Sequence, residues 1–245
     1  MYPVSPKSQA YDRTATMFSP DGRLYQVEYA SKIVEQGTLG AGLLYDNGVL
    51  FATDKKISSR LILPESIEKL FAIDDHIGAV SSGLVGDARR LVQFARQEAQ
   101  ENSIYYEEPI EVEALVKKVS GVAQYFTQYG GVRPFGVSFI IGGVDQTGSR
   151  LFEVEPSGAL AEYRAIAIGK GKKEAMDFLE QKFKDNLPRE DAMDLLIEAL
   201  KKGTAVEKTK LEYQRLDAAF IEKGKPLTRV SREELKSFLA KNKTV

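Results

Sequence analysis

Hydrophobic periodicity along the 245 residues changes in blocks, and the order of those blocks limits the folds open to the chain. Strand-like apolar runs fill the stretch from Thr38 to Val80: LGAGLLY, an Asn47-Gly48 hairpin signal, VLFATDKK, SIEKLFAI and IGAVSSG, the last two joined by Asp74-Asp75-His76. Two helical stripes follow, Leu84, Ala88, Leu91, Val92, Ala95 and Ala99, then Val112, Leu115, Val116, Val119, Ala123 and Phe126. A second strand block runs from Phe135 to about Ile168, with turns at Asp145-Gln146-Thr147-Gly148 and Pro156-Ser157-Gly158. Two more stripes come next, Ala175, Phe178, Leu179 and Phe183, then Ala192, Leu195, Leu196, Ala199 and Leu200, with Pro188 suited to a first helical turn. Residues 211–221 and 225–230 read as closing strands and 232–241 as a terminal helix. Blocks segregated in this way predict an α+β, four-layer αββα sandwich, two sheets face to face with helices outside, rather than a doubly wound parallel sheet.

Ahead of the first strand block, Ser19-Pro20-Asp21-Gly22 has the composition of a turn. The run RLYQVEYASKIVEQG then places Leu24, Val27, Ser31 and Val34 on one helical face before Gly37 ends it. The first ten residues, MYPVSPKSQA, carry two prolines, two serines and little apolar mass. Such a segment cannot offset the entropy of its own ordering and is expected to be mobile unless a partner holds it. No linker rich in glycine or proline divides the remainder of the chain, so the expected organisation is a tail, 1–12, and a single domain, 13–245.

Composition removes several chemistries. With 34 basic against 35 acidic residues and a formal net charge of −1, no global field favours nucleic acid or an anionic membrane surface. The absence of cysteine excludes disulfides, thiolate metal sites and cysteine nucleophiles. No apolar run approaches the ~18 residues of a membrane span, and the N-terminus lacks the apolar core of a signal peptide, so a cytoplasmic protein is expected. The nucleophile elbow G-x-S-x-G does not occur, and the sole histidine, His76, is expected to be a solvated turn residue. Asp74-Asp75 and Glu107-Glu108 read as solvated surface rather than metal ligands. The Gly169-Lys170-Gly171-Lys172 loop lacks the third glycine of a dinucleotide fingerprint and the Lys-Ser or Lys-Thr pair of a P-loop. One nucleophile needs neither histidine nor metal, a threonine whose own α-amine is the base. Gly37-Thr38 is the dipeptide to consider, and in the intact chain Thr38 has an amide in place of that amine.

Tyr11-Asp12-Arg13 and Phe18-Ser19-Pro20-Asp21-Gly22-Arg23-Leu24-Tyr25-Gln26-Val27-Glu28-Tyr29-Ala30 closely resemble the N-terminal signature of archaeal-type proteasome alpha subunits. The resemblance continues through Asp54-Lys55-Lys56, Ser66-Ile67-Glu68-Lys69, Ser82-Gly83-Leu84, Asp87-Ala88-Arg89, Tyr129 to Gly136 and Ile168-Gly169, and covers nearly the whole chain. It implies the N-terminal nucleophile hydrolase fold, two stacked antiparallel sheets between helical layers, with an extra N-terminal helix. In that family the beta subunits hold the threonine protease and the alpha subunits form the outer rings. Aligned by eye, Thr38 falls at the beta nucleophile, Asp54 near its acidic partner and Lys69 near its lysine. Yet Lys170 stands where beta subunits carry a serine within Gly-Ser-Gly, and KGTAVEKTKLE has no counterpart of their aspartate-to-serine-glycine stretch.

The resemblance therefore implies a subunit with no catalytic residues, no cofactor and no metal, built into a seven-membered ring of its own copies against beta subunits. The alternatives are a self-processing threonine protease with Thr38 as nucleophile, and a stand-alone domain binding an anion at its Gly-Lys loop. By resemblance, the tail closes an axial pore to unfolded protein substrates, and Tyr11, Asp12, Arg13, Pro20 and Tyr29 form the cluster that holds it upright when open. Regulatory AAA+ ATPases ending in a hydrophobic residue, a tyrosine and any residue would dock between neighbouring copies. Lys69 would receive the terminal carboxylate, Gly22 would permit close approach of backbone, Glu28 would accept from the tyrosine, and Leu84 would supply apolar wall. Gly130-Gly131-Val132-Arg133-Pro134 is assigned a structural role only.

Overall fold

The computed structural model describes residues 14–57, 59, 61–207 and 211–241. In chain order the elements are α1 (Tyr25–Gln36), β1 (Gly40–Tyr45), β2 (Gly48–Asp54), β3 (Leu70–Asp74), β4 (Ile77–Gly83), α2 (Val85–Tyr106), α3 (Val112–Gln128), β5 (Val137–Asp145), β6 (Gly148–Val154), β7 (Leu160–Glu162), β8 (Ala165–Ile168), α4 (Lys172–Lys182), α5 (Arg189–Thr204), β9 (Leu216–Glu222), β10 (Thr228–Arg229) and α6 (Arg232–Lys241). The strands form two five-stranded sheets, β10-β9-β2-β1-β8 and β3-β4-β5-β6-β7, antiparallel throughout.

The strands read as continuous apolar runs because both faces of each sheet are covered. Alternate residues of β1 and β2, namely Ala41, Leu43, Tyr45, Leu50 and Ala52, pack against α4, α5 and α6. From the other sheet Ile77, Ala79, Phe139 and Ile141 face α2 and α3. The intervening residues, Val49, Phe51, Val80, Ile140, Leu151 and Ile166, meet between the sheets. Full burial of each such aliphatic or aromatic side chain contributes roughly 1.5–3 kcal/mol, which makes this middle layer the frame on which the ends of the strands are fixed.

Boundaries moved where local geometry overrode the apolar pattern. Ser66 to Lys69 are not strand: Pro64–Ser66 form a single 3-10 turn and β3 begins only at Leu70. The first hairpin closes on Asp46-Asn47, with Tyr45 paired to Gly48, so Gly48 belongs to β2. Residues 211–215 precede β9, the segment 225–230 retains only the two residues of β10, and Pro188 is the N-cap of α5 rather than a first-turn residue. His76 is not a solvated turn residue. It is mostly buried, its Nε2 lies 2.8 Å from the Ile110 carbonyl, and its Nδ1 lies 3.4 Å from Asp74.

The Tyr129–Gly136 segment is fastened to the start of α2 by one carboxylate. Asp87 accepts from Arg133 Nη1 at 2.6 Å, from Arg133 Nη2 at 2.8 Å and from the Gly136 amide at 2.8 Å. Burial works to raise the Asp87 carboxyl, but these donors outweigh it and hold it below the usual carboxylate value. The Arg133 side chain is 60 % exposed, so water can replace it, whereas the Gly136 amide has Asp87 as its acceptor. Asp87→Ala is expected to cost about 2–3 kcal/mol and Arg133→Ala no more than about 1 kcal/mol in urea unfolding of the isolated chain. Equal losses would contradict this assignment.

Candidate functional site

α1 crosses the ends of β4 and β5, burying Ala30 and Val34, one helical turn apart. Its last amide partner is Gly37, whose N–H bonds back to Ile33 and Val34 and whose φ of −65° and ψ of 153° turn the chain into β1. A Cβ on Gly37 would stand 2.3 Å from Ser82 Oγ and 2.5 Å from the Gly83 nitrogen. The end of α1 is therefore seated against the end of β4 with no room for a side chain, and only glycine fits.

Thr38 follows directly, and groups from three strands or their flanks converge on it, with a fourth on the Gly37 carbonyl beside it. Its hydroxyl donates to the Asp54 carbonyl at 2.7 Å. Lys69 Nζ donates to the Thr38 carbonyl at 2.7 Å and also to the Thr38 hydroxyl oxygen. Ser82 Oγ lies 3.1 Å from the Thr38 carbonyl and 3.2 Å from that of Val34. The Lys170 amide donates to the Gly37 carbonyl at 2.8 Å. The Asp54 side chain, 1 % exposed, is held by Arg215, whose Nε donates to Oδ1 at 2.9 Å and whose Nη2 reaches Oδ2. Lys69 is only 5 % exposed, and burial pushes its ammonium down to about 7, with the Asp54 charge opposing in part.

The three residues that align with a threonine protease, Thr38, Asp54 and Lys69, are thus brought together, but the arrangement differs from a working centre. An amine-base threonine needs a free α-amine, and the Thr38 nitrogen is the peptide nitrogen that links it to Gly37 and α1. Its hydroxyl proton is turned onto a backbone carbonyl. Two members of this cluster were given no role from the sequence: Ser82, the second of two adjacent serines in an otherwise apolar strand and named only within the resembling Ser82-Gly83-Leu84, and Arg215, a lone arginine ahead of β9.

The expected docking residues separate into two groups. Gly22, with φ of +74°, closes the Ser19–Arg23 turn by donating to the Ser19 carbonyl at 2.8 Å, and Pro20 is exposed in the same turn. Glu28, in the first turn of α1, accepts from Arg23 Nε at 2.7 Å, and this guanidinium holds its carboxyl below the usual range. Tyr29 is half-buried, stacked on Tyr25 at 6.4 Å. Leu84, the 40 % exposed N-cap of α2, and Ile33 of α1 both border Gly136. Glu28 lies in the first turn of α1 and Lys69 meets the chain just beyond its last residue, Gln36, so about 12 Å of helix separates Glu28 from the end that holds Lys69, and Gly22 precedes the helix. Tyr11, Asp12 and Arg13 lie outside the described residues. In the Gly-Lys loop, Lys172 is committed to the buried Glu153 at 2.8 Å. Among the described residues no group of three or more His, Asp or Glu is arranged to hold a metal ion, and no helix is long and apolar enough to cross a membrane.

Burial of Lys69 has a sign that can be measured. Between about 7 and its ordinary 10.5 the unfolded chain binds a proton that the folded chain lacks, so this residue adds stability as pH rises through that window and adds none of it below. Relative to Lys69→Met, which cannot titrate, the native chain should gain up to about 2 kcal/mol between pH 7 and pH 9. Parallel pH profiles of the two unfolding free energies would contradict the buried placement of the ammonium.

Comparison with known proteins agrees with this geometry. The family model described as "Proteasome subunit" matches residues 34–221, and the model of the N-terminal signature of A-type proteasome subunits matches residues 11–32. The chain is 48 % identical over 220 residues to a proteasome alpha subunit of Methanopyrus kandleri, covering 90 % of this chain and 88 % of the relative. It is 52 % identical over 198 residues to that of Methanothermobacter thermautotrophicus, covering 81 % and 80 %. With that of Methanobrevibacter smithii it shares 47 % over 234 residues, covering 95 % and 92 %. Two stacked antiparallel sheets between helical layers, an N-terminal helix packed on β4 and β5 and leading into Thr38, the two family matches and relatives of this closeness establish that the chain belongs to the proteasome subunit family and is of its alpha type.

Proposed function

We propose that this chain is a non-catalytic ring subunit of a cytoplasmic proteasome core, which controls access of unfolded proteins to active sites carried by beta subunits. The observation that carries the proposal is the state of Thr38: its nitrogen is in a peptide bond, its hydroxyl donates to the Asp54 carbonyl, and α1 runs directly into it through a Gly37 packed against Ser82 and Gly83. A chain built in this way contributes surfaces rather than chemistry. Seven copies in a ring would crowd their 1–12 tails into one axial opening. Tyr11, Asp12 and Arg13, with Pro20 and Tyr29 of the turn and α1, would hold the tails in the open arrangement.

The separation along α1 bears on docking. One chain does not gather Gly22, Glu28, Lys69 and Leu84 around the end of a single peptide tail when about 12 Å of helix lies between Glu28 and the Lys69 end and Gly22 lies ahead of the helix. Copies placed side by side can, the Lys69–Leu84 end of one facing the Gly22–Glu28 end of the next, which suits a pocket at a seam for the C-terminal tail of an AAA+ ATPase. The contact between Lys69 and the Thr38 hydroxyl is the one observation favouring the other reading, a self-processing threonine protease cut between Gly37 and Thr38.

One particle separates the two. Deleting Met1 to Asp12 should allow a core assembled with beta subunits to degrade a long unfolded chain without an activator, and adding Thr38→Ala in this chain should leave that rate unchanged. Exclusion of the long substrate by a correctly assembled deletion particle would remove the gate. Loss of peptidase activity on Thr38→Ala would remove the silent assignment.

A further inference from the structure

A docking carboxylate cannot reach Lys69 as it stands, because the residue is 5 % exposed and its ammonium is bonded to the carbonyl and hydroxyl of Thr38. Something must give way, and the bonding pattern around Thr38 indicates what. Each Thr38 group that Lys69 touches has a second partner. The carbonyl lies 3.1 Å from Ser82 Oγ, and the hydroxyl donates to the Asp54 carbonyl at 2.7 Å. Withdrawal of the lysine would therefore leave no buried polar group of Thr38 orphaned, which is the circumstance that makes breaking a buried hydrogen bond inexpensive. A carboxylate in turn offers the ammonium an opposite charge as well as an acceptor, which a neutral carbonyl or hydroxyl does not.

Resting on the docking role of Lys69 given above, we propose that docking is an exchange: the incoming carboxylate takes the Lys69 ammonium from Thr38, and Ser82 keeps the Thr38 carbonyl in its place. The consequence follows from position. Thr38 is the residue at which α1 is fastened to the sheets, and the Ser82 hydroxyl that would hold its carbonyl is at present shared with the Val34 carbonyl in the last turn of α1. When that single proton turns fully to Thr38, the Val34 carbonyl keeps the Gly37 amide, at 2.9 Å, as its donor. Docking thus loosens the C-terminal fastening of the helix whose N-terminal side leads into the Ser19–Arg23 turn and the tail. Lys69 is the residue that receives the ligand; Thr38 and Ser82 are positioning residues that set how readily it is released.

The test uses the assembled particle and a synthetic peptide ending in Leu-Tyr-Arg, with either a free C-terminal carboxylate or a C-terminal amide. The native particle should prefer the carboxylate form, and Lys69→Ala should lower its affinity about thirtyfold and abolish the preference. Thr38→Val, which removes one competitor for the ammonium, should bind the carboxylate peptide about three- to tenfold more tightly. Ser82→Ala, which leaves the Thr38 carbonyl without its replacement donor, should bind it several-fold more weakly; neither substitution should move the amide peptide. In the native particle, hydrogen exchange of the backbone amides at the end of α1, residues 36–39, should rise when the carboxylate peptide is bound.

Equal binding of both peptides, unaffected by Lys69→Ala, would remove the docking role itself. A carboxylate preference that depends on Lys69 but is untouched by Thr38→Val and Ser82→Ala, with exchange at residues 36–39 unchanged, would keep docking and overturn the exchange. If either substituted chain fails to assemble, the exchange measurement on the native particle decides alone.

Discussion

The seat of α1 against the strand ends is the constraint on which the rest of the molecule depends. Gly37 lies so close to Ser82 and Gly83 that it admits no side chain, and Thr38 is held by a lysine, a serine and a carbonyl from three different strands or their flanks. Each of these groups is placed by the packed layer between the sheets, where Phe51, Val80 and Ile140 leave the strands no freedom to slide. A helix ahead of the first strand is in this sense more than an addition to the sandwich. It runs through Gly37 into Thr38, whose nitrogen is thereby a peptide nitrogen within a continuous chain.

The same cluster connects stability with function. Lys69 is buried although it carries a charge for much of its titration range, which is a cost to the fold. A lysine retained at such a site, bonded to groups that each have an alternative partner, is suited to being lent out. Asp54 contributes by its backbone, whose carbonyl receives the Thr38 hydroxyl, while its carboxylate is occupied with Arg215. The residues that align with a protease centre have in this way become parts of a fastening.

Much of the architecture was legible because hydrophobic periodicity switches between strand and helix blocks, and the blocks occur in the expected order. The strand runs are continuous because both faces are covered, and the α2 and α3 stripes, Leu91, Val92, Ala95 and then Leu115, Val116, Val119, are the buried ones. What was not legible depends on contacts distant in sequence. Ser66 to Lys69, with Ile67, lead into the apolar run of β3 and read as its start, yet the Pro64–Ser66 turn delays β3 and leaves Lys69 pointing at Thr38, 31 residues away. His76 looked solvated because its neighbours are aspartates, and its partner, the Ile110 carbonyl, is 34 residues away. Ser82 and Arg215 bear no local mark of their roles, since a serine in a strand and an arginine before one have many uses. The resemblance grouped Lys69 with Gly22 and Glu28, and only the length of α1 reveals that one chain keeps them apart.

The central claim is that Thr38 remains an internal residue in the working assembly, with α1 still attached. The most direct measurement is the intact mass of this chain recovered from a proteolytically active particle. The account predicts a chain that retains the peptide bond between Gly37 and Thr38, and with it α1. A mature chain whose mass corresponds to a start at Thr38 would contradict it.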